Sequence, residues 1–392
     1  MIIPSFSSSS AGRLPSSLAS NRFASAVAAR RASGAPLIDL TASNPTAAGF
    51  EYPSDLLAAL ASPRNLVYEP EAAGLAEARA AVAADFARRG SRVLPSDIVL
   101  TASTSEAYGY LFKLLCAPGD DVLVPQPSYP LFEWLTRLDS VVSIPYRLEY
   151  HGRWTIDAAG LAQAVTERTK AILLVSPNNP TGSYITRADF ARLAEIAPDV
   201  PLIGDEVFWD FPLADAPADR ASVLESGRSL SFSLGGLSKS AALPQLKLGW
   251  IAMSGDPLRV AAARAQLELI ADTYLSVSTP VQTAAAGLIA AGAGMREQIL
   301  ARAARNLASL RATVESHPAL NLLRTEGGWS AIVRVPATRA EEDLIVALVE
   351  EDGVLVHPGY FFDFAHEAYL VVSLIARPDA FDRGVAAIAG RF

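Results

Sequence analysis

Ser233-Leu234-Gly235-Gly236-Leu237-Ser238-Lys239-Ser240 ends an apolar strand that begins at Leu230, and Leu248-Gly249-Trp250 follows a few residues on. This run puts a lysine just past a strand, between Ser238 and Ser240, with Leu237 and Ala241-Ala242-Leu243 around it. An amine without a role is costly in such apolar company, which weighs against a plain surface lysine. Lysine is also scarce, since Lys113, Lys170, Lys239 and Lys247 are all that the chain contains.

Outward from this run, short apolar segments recur at Ile98-Val99-Leu100, Val122-Leu123-Val124, Ala171 to Val175, Pro201 to Ile203 and Gly249 to Met253, with amphipathic stretches between them. They lack alternation, as expected of strands covered on both faces in a mostly parallel α/β/α sheet. Function is then expected at the carboxyl ends of the strands. After Thr279-Pro280 the pattern changes to a helix from Val281 to about His317. A strand at Ala331 to Val335, a helix near Ala340 to Glu351, strands at Val354 to Val356 and Tyr369 to Leu374, and a helix from Pro378 follow. The expectation is an α/β fold with a large domain over 45–278. A smaller α+β domain is expected from residues 279–392 and an N-terminal arm, 1–44.

The bulk properties narrow the function. With 392 residues, 51% of them hydrophobic and 19% charged, the chain can bury sizeable cores. A net charge of −8 without any Lys/Arg-rich run argues against nucleic acid. No apolar run reaches the roughly 18 residues that a membrane span needs. Cys116, the one cysteine, reads as a buried helix end and fits a reducing, cytoplasmic setting. Residues 1–38 carry Arg13, Arg22, Arg30 and Arg31, many serines and no acid, a composition like that of an organelle transit peptide. Pro4 and Pro15, and the direct run into Leu37-Ile38-Asp39-Leu40, favour a structural arm instead. No metal site is expected.

A lysine amine can hold an aldehyde cofactor as a Schiff base and later exchange it for a substrate amine. The chain also offers the partners that pyridoxal 5′-phosphate (PLP) requires. Asp205 follows the apolar run Pro201-Leu202-Ile203-Gly204 and can keep a pyridine nitrogen protonated, with Glu206 turned the other way. By itself, Asp205 reads equally as a loop or helix cap. Ser176-Pro177-Asn178-Asn179-Pro180-Thr181-Gly182 presents amides to a ring oxygen, or is an ordinary turn. Tyr129 supplies an aromatic for the ring face. Thr101-Ala102-Ser103-Thr104-Ser105-Glu106 opens a helix with hydroxyls and N–H groups suited to a phosphate, or is a simple helix cap.

Taken together, Asn178-Asn179-Pro180-Thr181-Gly182, Asp205-Glu206-Val207, Leu237-Ser238-Lys239 and Gly249-Trp250 resemble the fold-type I PLP enzymes, specifically the class I/II aminotransferases. Pro127-Ser128-Tyr129-Pro130, Pro358-Gly359 and Tyr68 with Pro70, Gly74 and Arg79 extend the resemblance over nearly the whole chain. It implies that Tyr129 stacks on the ring, Asn179 contacts the ring phenolate oxygen, Asp205 pairs with the pyridinium, and Ser103, Thr104, Ser105 and Ser238 lie around the phosphate. Lys239 becomes Schiff base and proton carrier. Tyr68 and Ser278-Thr279 would approach the phosphate of a neighbouring subunit, so the resemblance also implies a homodimer with shared sites. The activity implied is ping-pong transfer of an amino group between an amino acid or amine donor and a keto acid. A lyase, racemase or decarboxylase on the same fold is the alternative. A non-catalytic regulator ranks lower, because the roughly 40 residues before Asp39 are too short and proline-interrupted for a DNA-binding module.

Departures from the pattern shape the expected site. Lys247 stands where the family usually has a phosphate-binding arginine, and Gly236 where it often has a serine. Val371 occupies the position of the substrate-carboxylate arginine, which leaves Arg377, Arg22 or Asn44 as candidate substrate contacts. Leu131, Phe132, Tyr274, Trp329, Tyr360 and Phe361 are candidates for an apolar pocket wall. Phe208 replaces a tyrosine that donates to the phenolate, so the Schiff base should titrate at raised pH with Asn179 as the remaining donor. A Phe208→Tyr variant is expected to titrate at lower pH than the parent when the visible absorption of the bound cofactor is followed; an unchanged midpoint would show that the missing hydroxyl has no such effect.

Overall fold

The computed structural model describes residues 13, 14 and 20–392, so Pro4 and Pro15, on which the reading of the N-terminal arm rests, lie outside the described residues. The first strand, β1 (Ile38–Asp39), is followed by β2 (Ile98–Thr101), β3 (Asp121–Gln126), β4 (Val142–Tyr150), β5 (Trp154–Ile156), β6 (Thr169–Val175), β7 (Leu202–Asp205), β8 (Leu230–Gly236) and β9 (Gly249–Gly255). Eight of them form one sheet in the order β2-β9-β8-β7-β6-β3-β4-β5. Pairing is parallel from β8 through β7, β6 and β3 to β4, while β9 runs antiparallel to both of its neighbours and β5 antiparallel to β4.

The burial of these strands explains why they read so plainly in the sequence. Val99, Val122, Leu173, Ile203, Phe232 and Ile251 belong to one core cluster with Tyr108 and Leu111 of helix Thr104–Leu115. On the opposite face, Leu123, Ile172, Leu174 and Leu202 pack with Phe190 and Leu193 of helix Arg187–Ile196. Strand β4 was not among the expected strands. Only Tyr146 of its residues is buried, the rest are exposed or half-buried, and it includes Pro145, so it lacks a continuous apolar run.

The C-terminal residues build a second sheet from β10 (Asn321–Leu322), β11 (Ser330–Arg334), β13 (His357–Pro358) and β14 (Tyr369–Ser373), in the order β10-β11-β14-β13. β12 (Val354–Leu355) pairs parallel with β1 instead. Leu40, fully buried, donates its N–H to the Leu355 carbonyl at 2.9 Å and accepts from the Ser373 N–H at 2.7 Å, tying the N-terminal segment into this core. Helix Arg22–Ala32 packs Ala26 and Val27 against Val346, Val349 and Leu355. The helix expected from Val281 is divided into Thr279–Thr283 and the 31-residue helix Ala285–Glu315. The long helix serves both cores, with Ala285 and Leu288 packed beside Trp250 and Ala303, Leu307 and Leu310 beside the second sheet.

The turn that carries Lys239 is fixed by close backbone approach. At Gly236 an added Cβ would lie 2.9 Å from the Leu248 carbonyl oxygen and 3.1 Å from the Gly249 Cα, and at Gly235 it would lie 2.4 Å from the Trp250 indole nitrogen. The serine expected at Gly236 from the family pattern therefore has no room here. Overpacking against backbone costs about 1–3 kcal/mol. A Gly236→Ser variant is expected to lose about that much stability in chemical denaturation and to gain nothing in phosphate binding; a variant as stable as the parent would show that β8 and β9 can separate at this point.

Candidate active site at the carboxyl edge of the sheet

Strand direction gathers the candidate residues at one edge. β2, β3, β6, β7 and β8 all point the same way, so their carboxyl ends deliver Thr101 to Ser105, Tyr129, Asn179, Asp205 and Lys239 to a single rim. β9 runs the other way and begins at that rim, which is why Lys247, two residues before it, arrives there too.

Lys239 sits half-buried in the short turn Leu237–Ser240. Its Nζ donates to the Ser43 carbonyl at 3.4 Å and lies 4.9 Å from the centre of the Trp329 ring and 5.4 Å from that of Phe208. Burial pushes the amine down to about 8, against the pull of the Asp205 carboxylate. Asp205 accepts the Tyr108 hydroxyl on Oδ2 at 2.8 Å and the Val207 N–H on Oδ1 at 3.2 Å. Its burial raises its pKa, and Tyr108, Val207 and Lys239 oppose the rise. Glu206 does face away, accepting Ser222 Oγ, the Val223 N–H and Ser233 Oγ at 2.7–2.9 Å.

Asn179 accepts the Ser330 hydroxyl on Oδ1 at 3.2 Å, which links the rim to the second sheet. Its neighbour Asn178 is fully engaged within the protein. It accepts Ser128 Oγ at 2.7 Å and donates to the Pro127 carbonyl at 3.0 Å and to Thr181 Oγ1 at 2.9 Å, so one buried amide fixes the loop of Tyr129 to the loop of Asn179. Tyr129 is 46% exposed.

At the start of helix Thr104–Leu115 the simple cap is present, with the Ser103 hydroxyl accepting the Glu106 N–H at 3.2 Å. Glu106 takes the Ala102 N–H at 2.6 Å and the Ser276 hydroxyl. The Thr104 and Ser105 hydroxyls have no partner among the described residues, nor do the Ser238 hydroxyl and the exposed Lys247 ammonium. Tyr68, 70% exposed, lines a groove with Ser276 and Thr279 and is thus two side chains from Glu106.

The candidate substrate contacts are dispersed. Asn44 caps the turn Pro45–Ala47 by accepting the Thr46 N–H at 3.1 Å. Arg22 is engaged with Asp343 on the exposed side of its helix. Arg377 lies against Gly49, where its Nη1 would be 3.4 Å from an added Cβ. Val371, 1% exposed, packs with Trp154, Leu323, Ile332 and Phe362. It pairs with Ile332 while Ser373 pairs with Ser330, so Val371 shares a sheet face with the serine that reaches Asn179. The position expected to hold a carboxylate-binding arginine is a piece of apolar wall. Of the candidate wall residues, Trp329 stands at Lys239, Phe132 belongs to the core beside Tyr108, and Tyr274 packs on Tyr110. Tyr360 and Phe361 line a cavity of about 410 Å³ with helix Arg22–Ala32, His357 and Thr41. Leu131 precedes helix Phe132–Leu138.

Ser43, Tyr108 and Ser330 are the contacts that sequence reasoning missed. Ser43 acts through its carbonyl and Ser330 through a cross-sheet contact, neither of which has a local sequence signal. The donor set fits PLP: a depressed amine, a buried carboxylate in reach of its charge, a solvent-facing aromatic and, at a helix N-terminus, hydroxyls and an ammonium left unpaired.

Comparison with known proteins agrees. Residues 35–387 match the family described as aminotransferase class I and II. The glutamate-pyruvate aminotransferase AlaA of Escherichia coli K12 is 29% identical over 257 residues, 64% of this chain and 63% of that protein. Alanine aminotransferase of Mycobacterium bovis is 29% identical over 262 residues, 64% of this chain and 60% of that one. The matched segment thus spans less than two thirds of these curated relatives. Among solved structures, alanine aminotransferase from Pyrococcus furiosus superposes with a TM-score of 0.82 at 21% identity, covering 95% of this chain and 99% of that chain, and the fold is the fold-type I architecture. Class I/II aminotransferases of this fold use pyridoxal phosphate. With the match running over most of its length, the chain belongs to the class I and II aminotransferase family.

Proposed function

We propose that the protein is a PLP-dependent aminotransferase that passes an amino group from an amino acid or amine donor to a keto acid in two half-reactions. The observation that carries this reading is Lys239, held half-buried at the rim with its amine in the field of Asp205 and against Trp329 and Phe208. Lys239, Asp205, Asn179 and Tyr129 would hold the cofactor, with Thr104, Ser105, Ser238 and Lys247 at its phosphate. Bound there, PLP supplies an aldehyde for the amino group and a protonated ring that draws electrons from the reacting carbon. Asp205 keeps the ring nitrogen protonated. With its amine pushed down to about 8 by burial, Lys239 would be the group placed to take a proton from the substrate carbon and return it. Trp329 and Phe208 keep water from the amine.

Val371 and its apolar neighbours favour a donor whose carboxylate, if it has one, is not held at that wall. The site would lie between a large domain, 45–278, and a small domain of residues 1–44 and 279–392. A homodimer is part of the proposal, supported by the exposed Tyr68 and Leu275 that line the Tyr68 groove. The small molecules are then the partners, with no role for nucleic acid or a membrane. No helix among the described residues is long and apolar enough to cross a membrane, and a cytoplasmic place of action suits the half-buried Cys116, whose thiol burial pushes up to about 12.

The test is an absorbance spectrum of the purified protein before and after a panel of amino donors, with Lys239→Ala as control. The parent is expected to show a visible cofactor band that bleaches with its donor, and the control to show neither. A band that stays with every α-amino acid and bleaches with simple amines would assign the Val371 wall to a different donor class, and no band even after added PLP would sink the proposal. In the cofactor-free protein, acylation of Lys239 should rise with pH around a midpoint near 8, well below an ordinary lysine, because the buried charged form is the disfavoured one. Mass spectrometry of the modified peptide reads this directly, and a midpoint above 10 would contradict it.

A further inference from the structure

Tyr108 is one turn into helix Thr104–Leu115, with its ring 2% exposed and packed against Phe112 and edge-on to Phe132. Its only side-chain polar atom reaches across to Asp205 Oδ2 at 2.8 Å. Each oxygen of Asp205 therefore has one donor, Tyr108 on one side and the Val207 N–H on the other. The charges around this carboxylate are few. Lys239 attracts it from the turn after the neighbouring strand β8, and Glu206, next in sequence, spends its oxygens on Ser222, Val223 and Ser233. Nothing about position 108 stands out as a motif in the sequence.

We propose that Tyr108 is a positioning residue for Asp205, whose hydroxyl fixes the plane of the carboxylate and keeps it ionised so that it can hold the proton on the pyridine nitrogen of PLP. The inference rests on the cofactor reading above. Its physical basis is the competition at Asp205: burial favours the neutral acid, and a donated hydrogen bond to the charged form opposes it. The phenol is a dependable donor, because its burial and the adjacent charge push its own ionisation well above the ordinary value. Without that donor, the carboxylate becomes more basic and freer to rotate. Asp205 would then draw the proton away from the pyridine nitrogen of bound PLP, and the visible band would titrate at higher pH.

Tyr108→Phe removes one oxygen and keeps the ring packing. Two readouts separate positioning from mere structure: the dissociation constant of PLP, by equilibrium dialysis, and the pH midpoint of the visible cofactor band. The expected result is a loss of cofactor affinity of roughly tenfold or more, the scale of a hydrogen bond to a charged group, together with an upward shift of the midpoint. In an Asp205→Asn background the same change should have little further effect on affinity, since the pair acts as a unit. Unchanged affinity and midpoint, even with a lower melting temperature for the cofactor-free variant, would overturn the proposal while leaving the cofactor reading intact. No band in either protein after added PLP would overturn both.

Discussion

A primary amine and a carboxylate share one poorly hydrated space at the rim of the large sheet, and each is there at a cost. Burial disfavours the charged form of both Lys239 and Asp205, and their mutual attraction recovers part of what desolvation takes. That balance holds only while the two side chains stay in place. Lys239 is set by the close approach of β8 to the start of β9, where glycine alone fits, and Asp205 by the last hydrogen-bonded position of β7 between β6 and β8. The aromatic pair Trp329 and Phe208 keeps the space dry, and the rest of the rim is arranged around it.

The architecture was legible where burial is uniform. The inner strands are largely apolar, so β2, β3, β6, β7 and β9 stand out as apolar runs and β8 as Leu230, Phe232 and Leu234 around the buried Ser231 and Ser233; the carboxyl ends of β3, β6, β7 and β8 lead to Tyr129, Asn179, Asp205 and Lys239. β4 is hidden because only part of it is covered. At the site, residues that act through a reactive side chain at a strand end can be read from the chain. Residues that act through distant contact cannot: Tyr108 reaches a carboxylate 97 positions away, and Ser43 presents a carbonyl to an amine 196 positions away. In the hydroxyl-rich turn after β2, Ser103 caps the helix, and the Thr104 and Ser105 hydroxyls have no partner among the described residues.

The departures from the family pattern have local physical reasons. Gly236 is small because a backbone occupies the space of a side chain. Phe208 packs edge-on against Trp329, in a cluster with Phe211, Met295 and Ile299. Val371 is part of an apolar cluster that includes Trp154 and Phe362, and Phe362 in turn accepts the Ser128 N–H beside Tyr129. Polar order at the rim is carried instead by amides and hydroxyls that bind one another, above all Asn178, which joins two loops through a single buried side chain.

The stitching of the N-terminal segment into the second core also sets a timetable. During synthesis the segment Asp39 to Ser43 leaves the ribosome long before the strands that receive it, since Ser373 bonds to a carbonyl 331 positions earlier. The eight strands of the large sheet are all made by residue 255, yet the carbonyl that meets Lys239 is anchored only once β12 and β14 exist. A nascent chain thus carries Lys239 on a complete set of sheet strands while the Ser43 segment is still a loose end, and the C-terminal residues act as its closing stitch.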